Sequence, residues 1–225
     1  MLPRFQGGAS MRKELFLRIA MSALGVLVCG VSVGMFRAAR LGVDPFQSLM
    51  SGLNAVIPIR FGTLYVIVNM ILLLFSLVFD RKKIGLATLI NLTLLGYVAE
   101  FSQRLTEQLL GDPALAGRLG LLAAAIVIMC FGSALYFNAA LGVSTYDAVS
   151  LVVSERQDRV PFKWCRVISD VVCVAAAFVL LRLGGQSLAE LVGSIGPATI
   201  ITAFFMGPLI SLFSRRLPNP TGRKY

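Results

Sequence analysis

The stretch that decides the fold class runs from Leu119 to Val143 and reads LGLLAAAIVIMCFGSALYFNAALGV. It contains no Asp, Glu, Lys or Arg over 25 residues. A helix of about 20 apolar residues, rising about 1.5 Å per residue, crosses a hydrocarbon core about 30 Å thick. A second uncharged stretch extends over 23 residues, from Leu191 to Phe213. Apolar stretches of this length predict membrane-spanning helices.

The composition of the whole chain agrees with a membrane protein. Hydrophobic residues make up 57% and charged residues 14%, whereas about a quarter of an ordinary globular chain is charged. The net charge is +10, but the basic residues border the apolar stretches, where orientation signals and anionic lipid headgroups favour them. We therefore expect a lipid bilayer as the partner and no nucleic acid.

The residue types for metal binding and common catalysis are missing or unfavourably placed. The chain has no histidine, and its four cysteines lie in or beside apolar stretches without a C-x-x-C pair. Zinc sites and Ser-His-Asp triads need such residues. The sequence therefore predicts no metal, no cofactor and no catalytic residue, and we expect the protein not to be an enzyme.

An internal repeat gives the organisation of the chain. Residues 35–44 (MFRAARLGVD) align with residues 135–144 (LYFNAALGVS) at an offset of 100. Beyond a one-residue insertion, two further matches follow in the same order: Arg60-Phe61 and Asn69 with Pro161-Phe162 and Asp170, then Ile84-Gly85, Thr88 and Gly96 with Ile195-Gly196, Thr199 and Gly207. Three matches in one order predict a duplication.

Each half predicts a span, a short helix, a second span, a loop and a third span. The predicted spans are 19–36, 61–79, 84–99, 119–140, 162–181 and 195–213. The short helices, at 44–57 and 144–154, are too short to cross, so they are either re-entrant or flat at the interface. This divides the chain into a cytoplasmic tail (1–13), a first membrane repeat (14–111), a second membrane repeat (112–214) and a basic cytoplasmic tail (215–225).

The distribution of basic residues predicts the topology. With the N-terminus inside, fifteen of the 21 Lys and Arg residues face the cytoplasm and six face outward, as the positive-inside rule requires. The inner set includes the Arg81-Lys82-Lys83 cluster. Three spans per half is an odd number, so the second half is inverted relative to the first, an arrangement typical of secondary transporters. We expect both termini in the cytoplasm of a bacterial inner (cell) membrane.

The starts of the short helices carry the first candidate site. Asp44 suits an N-cap before Pro45, and Ser144 suits an N-cap with Asp147 at the third helical position. Capping alone explains both carboxylates.

A ligand role is the alternative for the same helix starts. If both short helices are re-entrant, their N-termini oppose each other. A small anion or carboxylate could then bind between Gly42–Phe46 and Gly142–Tyr146. If the helices lie flat, their apolar faces only enter the interface.

Asp170 is the strongest single candidate, because it is the acidic residue well inside an apolar span. An ionised group at that depth is costly and indicates function by default. Its aligned counterpart Asn69 also lies mid-span, so both halves offer a polar group at one depth. The competing interpretation is an Arg166–Asp170 ion pair at i, i+4 that is satisfied within the helix.

Gly30 and Gly34 form a GxxxG pattern on the first span. Small residues at this spacing permit close helix contact. The contact could lie within the chain or between two copies, which would form a homodimer through Gly30 and Gly34.

The stretch Leu41–Phe46, with the paired Gly85/Thr88 and Gly196/Thr199 patterns, resembles the YczE/YyaS/YitT-type bacterial membrane proteins. The likeness covers about residues 20–213. The chain is more similar to the YczE branch, because no soluble C-terminal domain follows the last span. The resemblance implies a bacterial inner-membrane location and offers no catalytic residue set. The second half departs from the first-half motif, with Ser144-Thr145-Tyr146 in place of Asp44-Pro45-Phe46.

Two functions follow from these features. The first is a transporter or channel for a small solute, including an anionic one, which requires a solvated cavity between the halves. The second is a membrane scaffold or accessory protein that assists a partner without transport. It is favoured by the scarcity of buried polar groups and by the GxxxG face.

Overall fold

In a computed structural model, residues 7–79, 84–157 and 162–217 are described, and within these ranges the protein is helical without strands. The helices are α1 (Gly7–Ala39), α2 (Pro45–Val56), α3 (Phe61–Phe79), α4 (Leu86–Leu110), α5 (Leu115–Ala139), α6 (Thr145–Gln157), α7 (Phe162–Leu183), α8 (Leu188–Ser194) and α9 (Pro197–Arg216). The Arg81-Lys82-Lys83 cluster and the tail residues 1–6 and 218–225 lie outside the described residues.

Within the part of the chain that the structure describes, five stretches are long and apolar enough to cross a membrane. They are Arg12–Ala39, Phe61–Phe79, Leu115–Ala139, Trp164–Leu183 and Leu188–Met206. The predicted span 84–99 lies in α4, which is 25 residues long but less apolar, and it is not among the five. The protein is therefore an all-helical, multi-pass membrane protein, whereas six inverted spans remain a prediction.

Large apolar side chains cover the outer surface of the helices. Phe101, Phe204 and Leu183 expose 67%, 68% and 75% of their surface. Contiguous apolar surface of this kind is rare on soluble monomers and marks contact with a partner or a membrane. In a lipid bilayer, these side chains contact hydrocarbon and are not exposed to water.

The centre of the molecule is the contact between α1 and α5. Ser32 Oγ donates a hydrogen bond to the Ala125 carbonyl at 2.6 Å, and Gly25 lies against Gly132. Residue numbers rise along α1 where they fall along α5, so the two helices are antiparallel. A Cβ at Gly25 would lie 2.7 Å from the Gly132 carbonyl oxygen, so this close approach depends on glycine.

The GxxxG face of α1 is covered within the same chain. A Cβ at Gly30 would lie 2.7 Å from a methyl carbon of Val98, and one at Gly34 would lie 2.5 Å from the Gln103 amide nitrogen. Both neighbours belong to α4. Of the two alternatives at Gly30 and Gly34, the structure shows the contact within the chain, and α4 occupies the face that a homodimer would need.

The two short helices pack against the opposite half of the chain. Helix α2 lies against α7, and α6 lies against α3. Phe46 and Met50, which a flat α2 would place in the interface, are buried inside the protein. The short helices therefore belong to the core that joins the halves.

Each Leu-Gly-Val turn docks on the first turn of a helix from the other half. The Leu41 carbonyl accepts a hydrogen bond from the Ala198 amide at 3.0 Å, and the Leu141 carbonyl accepts one from the Ala87 amide at 3.1 Å. Both turn glycines, Gly42 (φ +101°) and Gly142 (φ +116°), adopt a backbone conformation that favours glycine. The two crossed contacts tie α1 to α9 and α5 to α4.

The receiving helices begin with the paired glycine–threonine pattern. Thr88 Oγ1 accepts a hydrogen bond from the Gly85 amide at 3.2 Å and donates one to the Val143 carbonyl at 2.7 Å. Thr199 Oγ1 likewise accepts from the Gly196 amide at 3.2 Å. A Cβ at Gly85 would lie 1.8 Å from the Leu141 carbonyl oxygen, so only glycine fits there.

Candidate functional site

The predicted N-caps of the short helices are confirmed. Asp44 accepts a hydrogen bond from the Gln47 amide at 3.2 Å, and Pro45 occupies the first turn of α2. Ser144 Oγ accepts from the Asp147 amide at 3.0 Å and donates to Asp147 Oδ2 at 2.6 Å. Capping accounts for the carboxylate of Asp44 and for one oxygen of Asp147.

The two helix starts contact each other through aromatic rings, and their glycines contact the opposite halves. Gly42 lies against Gly196, and Gly142 lies against Gly85, so each predicted site glycine contacts the opposite half. Between the helix starts, the rings of Phe46 and Tyr146 stack with their centroids 4.9 Å apart. The anion site predicted between the helix starts stays a prediction, and further polar groups lie beside the stacked rings.

Asp170 lies in a cluster of polar side chains on α6 and α7. Its Oδ1 atom accepts a hydrogen bond from the Tyr146 hydroxyl at 2.8 Å, and Arg166 Nε lies 3.3 Å from the same oxygen. The Cys173 thiol in turn lies 3.5 Å from the Tyr146 hydroxyl. Asp170 exposes only 8% of its surface, so these contacts replace water around the carboxylate.

Arg166 lies between two carboxylates. It pairs with Asp170 and also donates through Nη1 to Asp147 Oδ1. Its guanidinium carbon is 4.3 Å from the centroid of the Tyr146 ring, which adds a cation–π contact. The predicted Arg166–Asp170 pair therefore exists, but among the described side chains it belongs to a cluster in which one arginine is shared by two carboxylates.

Asn69 reaches the same helix start from the other half. Its Oδ1 atom accepts a hydrogen bond from Thr145 Oγ1, and its Nδ2 group donates to the Tyr65 carbonyl at 2.8 Å. Thr145 and Tyr146 are neighbours at the start of α6, so consecutive residues bind Asn69 and Asp170. The sequence predicted that these two polar groups lie at one depth and missed Thr145, which connects one of them to α6.

A cavity of about 270 Å³ lies beside this cluster, between the helix pairs α2/α3 and α6/α7. Both halves contribute to its wall, which is mostly apolar and includes Phe46, Tyr146 and Cys173. Two further wall residues, Ile168 and Val172, expose 59% and 60% of their surface. The cavity therefore opens toward the side of the helix bundle that faces lipid.

Within the described ranges, no group of three or more His, Cys, Asp or Glu side chains has the geometry to hold a metal ion. From the sequence, the Gly85/Thr88 and Gly196/Thr199 pairs were identified only as part of the internal repeat. Their role as docking partners of the two turns is a long-range contact, and the signal for it was the glycine–threonine spacing repeated in both halves.

Apolar helices with lipid-facing aromatic side chains and a buried charged cluster define a polytopic integral membrane protein. The chain belongs to the family of unknown function DUF6198, which matches residues 16–215. It is 23% identical over 190 residues to the "Uncharacterized protein YyaS" of Bacillus subtilis (strain 168), covering 84% of this chain and 89% of that one. It is also 23% identical over 205 residues to the "Uncharacterized membrane protein YczE" of the same organism, covering 91% and 88%. No solved structure matches. The resemblance to the YczE/YyaS family is thereby confirmed.

Proposed function

We propose that this chain is a transporter or channel for a small solute in a bacterial inner membrane, built from two inverted repeats of three spans with both termini in the cytoplasm. The observation that carries the proposal is the cavity between α2/α3 and α6/α7, with the Tyr146–Asp170–Arg166 cluster in and beside its wall. Ligand sites between the halves of an inverted repeat are typical of secondary transporters.

The crossed contacts support a site between the halves. Each Leu-Gly-Val turn binds a helix of the opposite half, and each short helix packs on a span of the opposite half. A movement of one half would therefore displace the wall of the cavity. Relative movement of two bundles around a fixed site is the usual basis of alternating access.

The buried cluster supports a functional role for its charges. Charged side chains inside a membrane protein are costly, and they are commonly placed along ion or substrate pathways. Asp170 accepts a hydrogen bond from the Tyr146 hydroxyl, and Tyr146 lines the cavity, so a polar solute could exchange with this contact. The proposal includes no catalytic step and no metal.

The test has two readouts, because the solute is unidentified. Purified protein is screened by thermal shift against pooled metabolites and inorganic anions, and any stabilising pool is then tested for uptake into proteoliposomes. We expect stabilisation that weakens at least about tenfold in apparent affinity in Asp170→Asn, since a hydrogen bond to a charged group contributes about 1.5–3 kcal/mol. Asp112→Asn is the matched control, because Asp112 pairs with Arg118 far along the chain from the cluster.

Two outcomes would oppose the proposal. If stabilisation is the same in Asp170→Asn and in wild type, the ligand binds elsewhere and the cluster is structural. If no pool stabilises the protein and no uptake occurs, a scaffold that assists a partner becomes the better interpretation, and a stoichiometric partner should then co-purify.

A further inference from the structure

A second, larger cavity lies away from the Asp170 cluster, where α1 and α4 end and α5 begins. It has a volume of about 890 Å³, within the range of about 300–1,000 Å³ that is typical of small-molecule sites. Its wall also includes parts of α2, α7 and α8. Charged side chains of both signs line it: Arg37, Arg40, Arg118, Glu107 and Glu190.

On one side of the cavity, the Gln103 amide lies between the Arg37 guanidinium and the Glu107 carboxylate. Arg37 Nε donates a hydrogen bond to Gln103 Oε1 at 2.5 Å, and Gln103 Nε2 donates to Glu107 Oε1 at 2.9 Å. The Arg37 guanidinium also stacks on the Phe61 ring, 3.9 Å from its centroid. Gln103 therefore fixes both charged groups while keeping them apart.

Arg37 has no carboxylate within 4.0 Å among the residues that the structure describes. The partners it does have, Gln103 and Ser51, are neutral. A half-buried guanidinium whose direct hydrogen-bond partners are neutral can still bind an acidic group of a ligand.

The other wall repeats this mixture of charges. Arg40 is exposed and has a positive φ of +54°, which turns the chain at the end of α1. Glu190 is exposed at the start of α8, where it accepts hydrogen bonds from Ser187. Arg118 differs, since it pairs with Asp112 at 2.6 Å. Once that pair is set aside, two arginines and two glutamates remain to face the cavity.

We propose that this cavity binds a small zwitterion, in which an ammonium group and a carboxylate or phosphate group lie a few bonds apart. The acidic group contacts Arg37 and Arg40, and the ammonium group contacts Glu107. A ligand of a single charge would be attracted by half of the charged wall and repelled by the other half. Two sources supply this chemistry, a free amino acid and the headgroup of an ethanolamine phospholipid.

The inference that this cavity binds a zwitterion does not depend on transport. It rests on the proposed function only if the ligand is a solute that the protein transports. If the ligand is a free amino acid, the cavity is a solute site separate from the Asp170 cluster, and uptake of the same amino acid would show whether it is also transported. If it is a lipid headgroup, the cavity is a lipid site and the proposed transport is unaffected. Uptake and binding are therefore measured separately.

The test uses the full chain in nanodiscs of phosphatidylglycerol, which has no zwitterionic headgroup. The probes are an equimolar mixture of proteinogenic L-amino acids, acetate alone, methylammonium alone, and nanodiscs that also contain phosphatidylethanolamine. We expect the melting temperature to rise with the amino acids or with phosphatidylethanolamine, and not with acetate or methylammonium at the same concentration. Which of the two zwitterionic probes acts identifies the source.

Three substitutions assign the effect to the cavity. Arg37→Gln and Glu107→Gln should each weaken the apparent affinity at least about tenfold, because each removes a charged hydrogen-bond partner. Arg104→Gln is the control on the same helix as Glu107, since Arg104 pairs with Glu100 and does not line the cavity. Arg40→Gln, at an exposed position, replaces Arg37→Gln if that variant does not fold.

Several results would overturn the proposal. Stabilisation by acetate alone or by methylammonium alone, as large as that by the zwitterions, would show a site for a single charge. No stabilisation by any probe would show that the cavity binds no zwitterion. An effect that persists in both Glu107→Gln and Arg40→Gln would place the ligand elsewhere.

Discussion

The two halves of the molecule place different side chains at positions that the sequence alignment pairs. The four pairs, first half before second, are Phe46 and Tyr146, Gln47 and Asp147, Tyr65 and Arg166, and Asn69 and Asp170. All four first-half residues are neutral, whereas three of the second-half residues are charged. At these four pairs the first half is uncharged and the second is charged, whereas the N-cap shows the reverse, with Asp44 in the first half and Ser144 in the second.

The hydrogen bonds follow this difference. In the first half, the Tyr65 hydroxyl donates to Asn91 at 3.3 Å and Asn69 binds the Tyr65 carbonyl. In the second half, Arg166 is shared by two carboxylates. Buried charges must be partnered, because an uncompensated one costs several kcal/mol. The charged groups of the second half should therefore be more sensitive to substitution than their neutral counterparts in the first half.

The largest effect should come from breaking the crossed contact between the halves. In Gly85→Ala, the new Cβ would lie 1.8 Å from the Leu141 carbonyl oxygen, and backbone must move to admit it. We expect a loss of more than about 4 kcal/mol in the free energy of unfolding, seen as loss of monodisperse protein in size-exclusion chromatography.

Gly120→Ala is the control, since no atom lies within 4 Å of the added Cβ and alanine favours a helix by about 1 kcal/mol over glycine. Gly196→Ala tests the other crossed contact, where the Cβ would lie 2.4 Å from the Leu41 carbonyl oxygen. Wild-type yield and melting temperature in both Gly85→Ala and Gly196→Ala would show that the halves do not depend on these contacts.

The next effect concerns the charge that distinguishes the second half. Arg166→Met leaves Asp147 and Asp170 without their cation, and removing one partner of a buried pair costs about 3 kcal/mol or more. We expect a lower melting temperature, which Asp147→Asn and Asp170→Asn added together should restore in large part.

Arg182→Met controls for the loss of a positive charge, because Arg182 is an exposed residue in the last turn of the same helix. An equal loss of stability in Arg182→Met and Arg166→Met would mean that net charge, and not the cluster, determines the effect.

Local patterns in the sequence predicted eight of the nine described helices, whereas α8 lies where the sequence predicted a loop. The uncharged stretches predicted α5 and α9 because apolar length alone decides whether a helix can span. The N-caps at Asp44 and Ser144 were predictable because capping depends on three or four consecutive residues.

The long-range contacts were not predictable from one sequence. The docking of Gly42 on Gly196 joins residues about 150 positions apart, and no local preference encodes it. For the same reason, the sequence could not decide between a contact within the chain and a dimer at Gly30 and Gly34. The opposed charges of the second cavity come from helices far apart in the sequence, so a charge pattern in a single stretch did not reveal them.

A smaller effect should follow when the second half is made to resemble the first. Tyr146→Phe places in α6 the residue type that Phe46 supplies to α2, and it removes the hydroxyl that donates to Asp170. We expect a loss of about 1–2 kcal/mol in the free energy of unfolding, because a hydrogen bond to a charged group is lost. Tyr97→Phe is the control: the Tyr97 ring is exposed and its hydroxyl has only a 3.4 Å contact with Thr63. Equal melting temperatures for wild type and Tyr146→Phe would show that the Tyr146 hydroxyl does not stabilise the cluster.

The smallest effect separates capping from charge at the start of α6. Ser144→Ala removes the N-cap, a change that typically costs about 1 kcal/mol. The Ser144 hydroxyl also donates to Asp147, which is bonded to Arg166. The costs of Ser144→Ala and Arg166→Met should therefore differ from additivity by more than about 0.5 kcal/mol in a double-mutant cycle, as is usual for residues that share a partner.

In the first half, Asp44→Ala should cost about the same as Ser144→Ala, but Asp44 caps α2 beside the neutral Gln47. The cycle of Asp44→Ala with Tyr65→Phe should then be additive. Additivity in both halves would mean that the charged cluster is independent of the helix start, and that the difference between the halves is confined to α7.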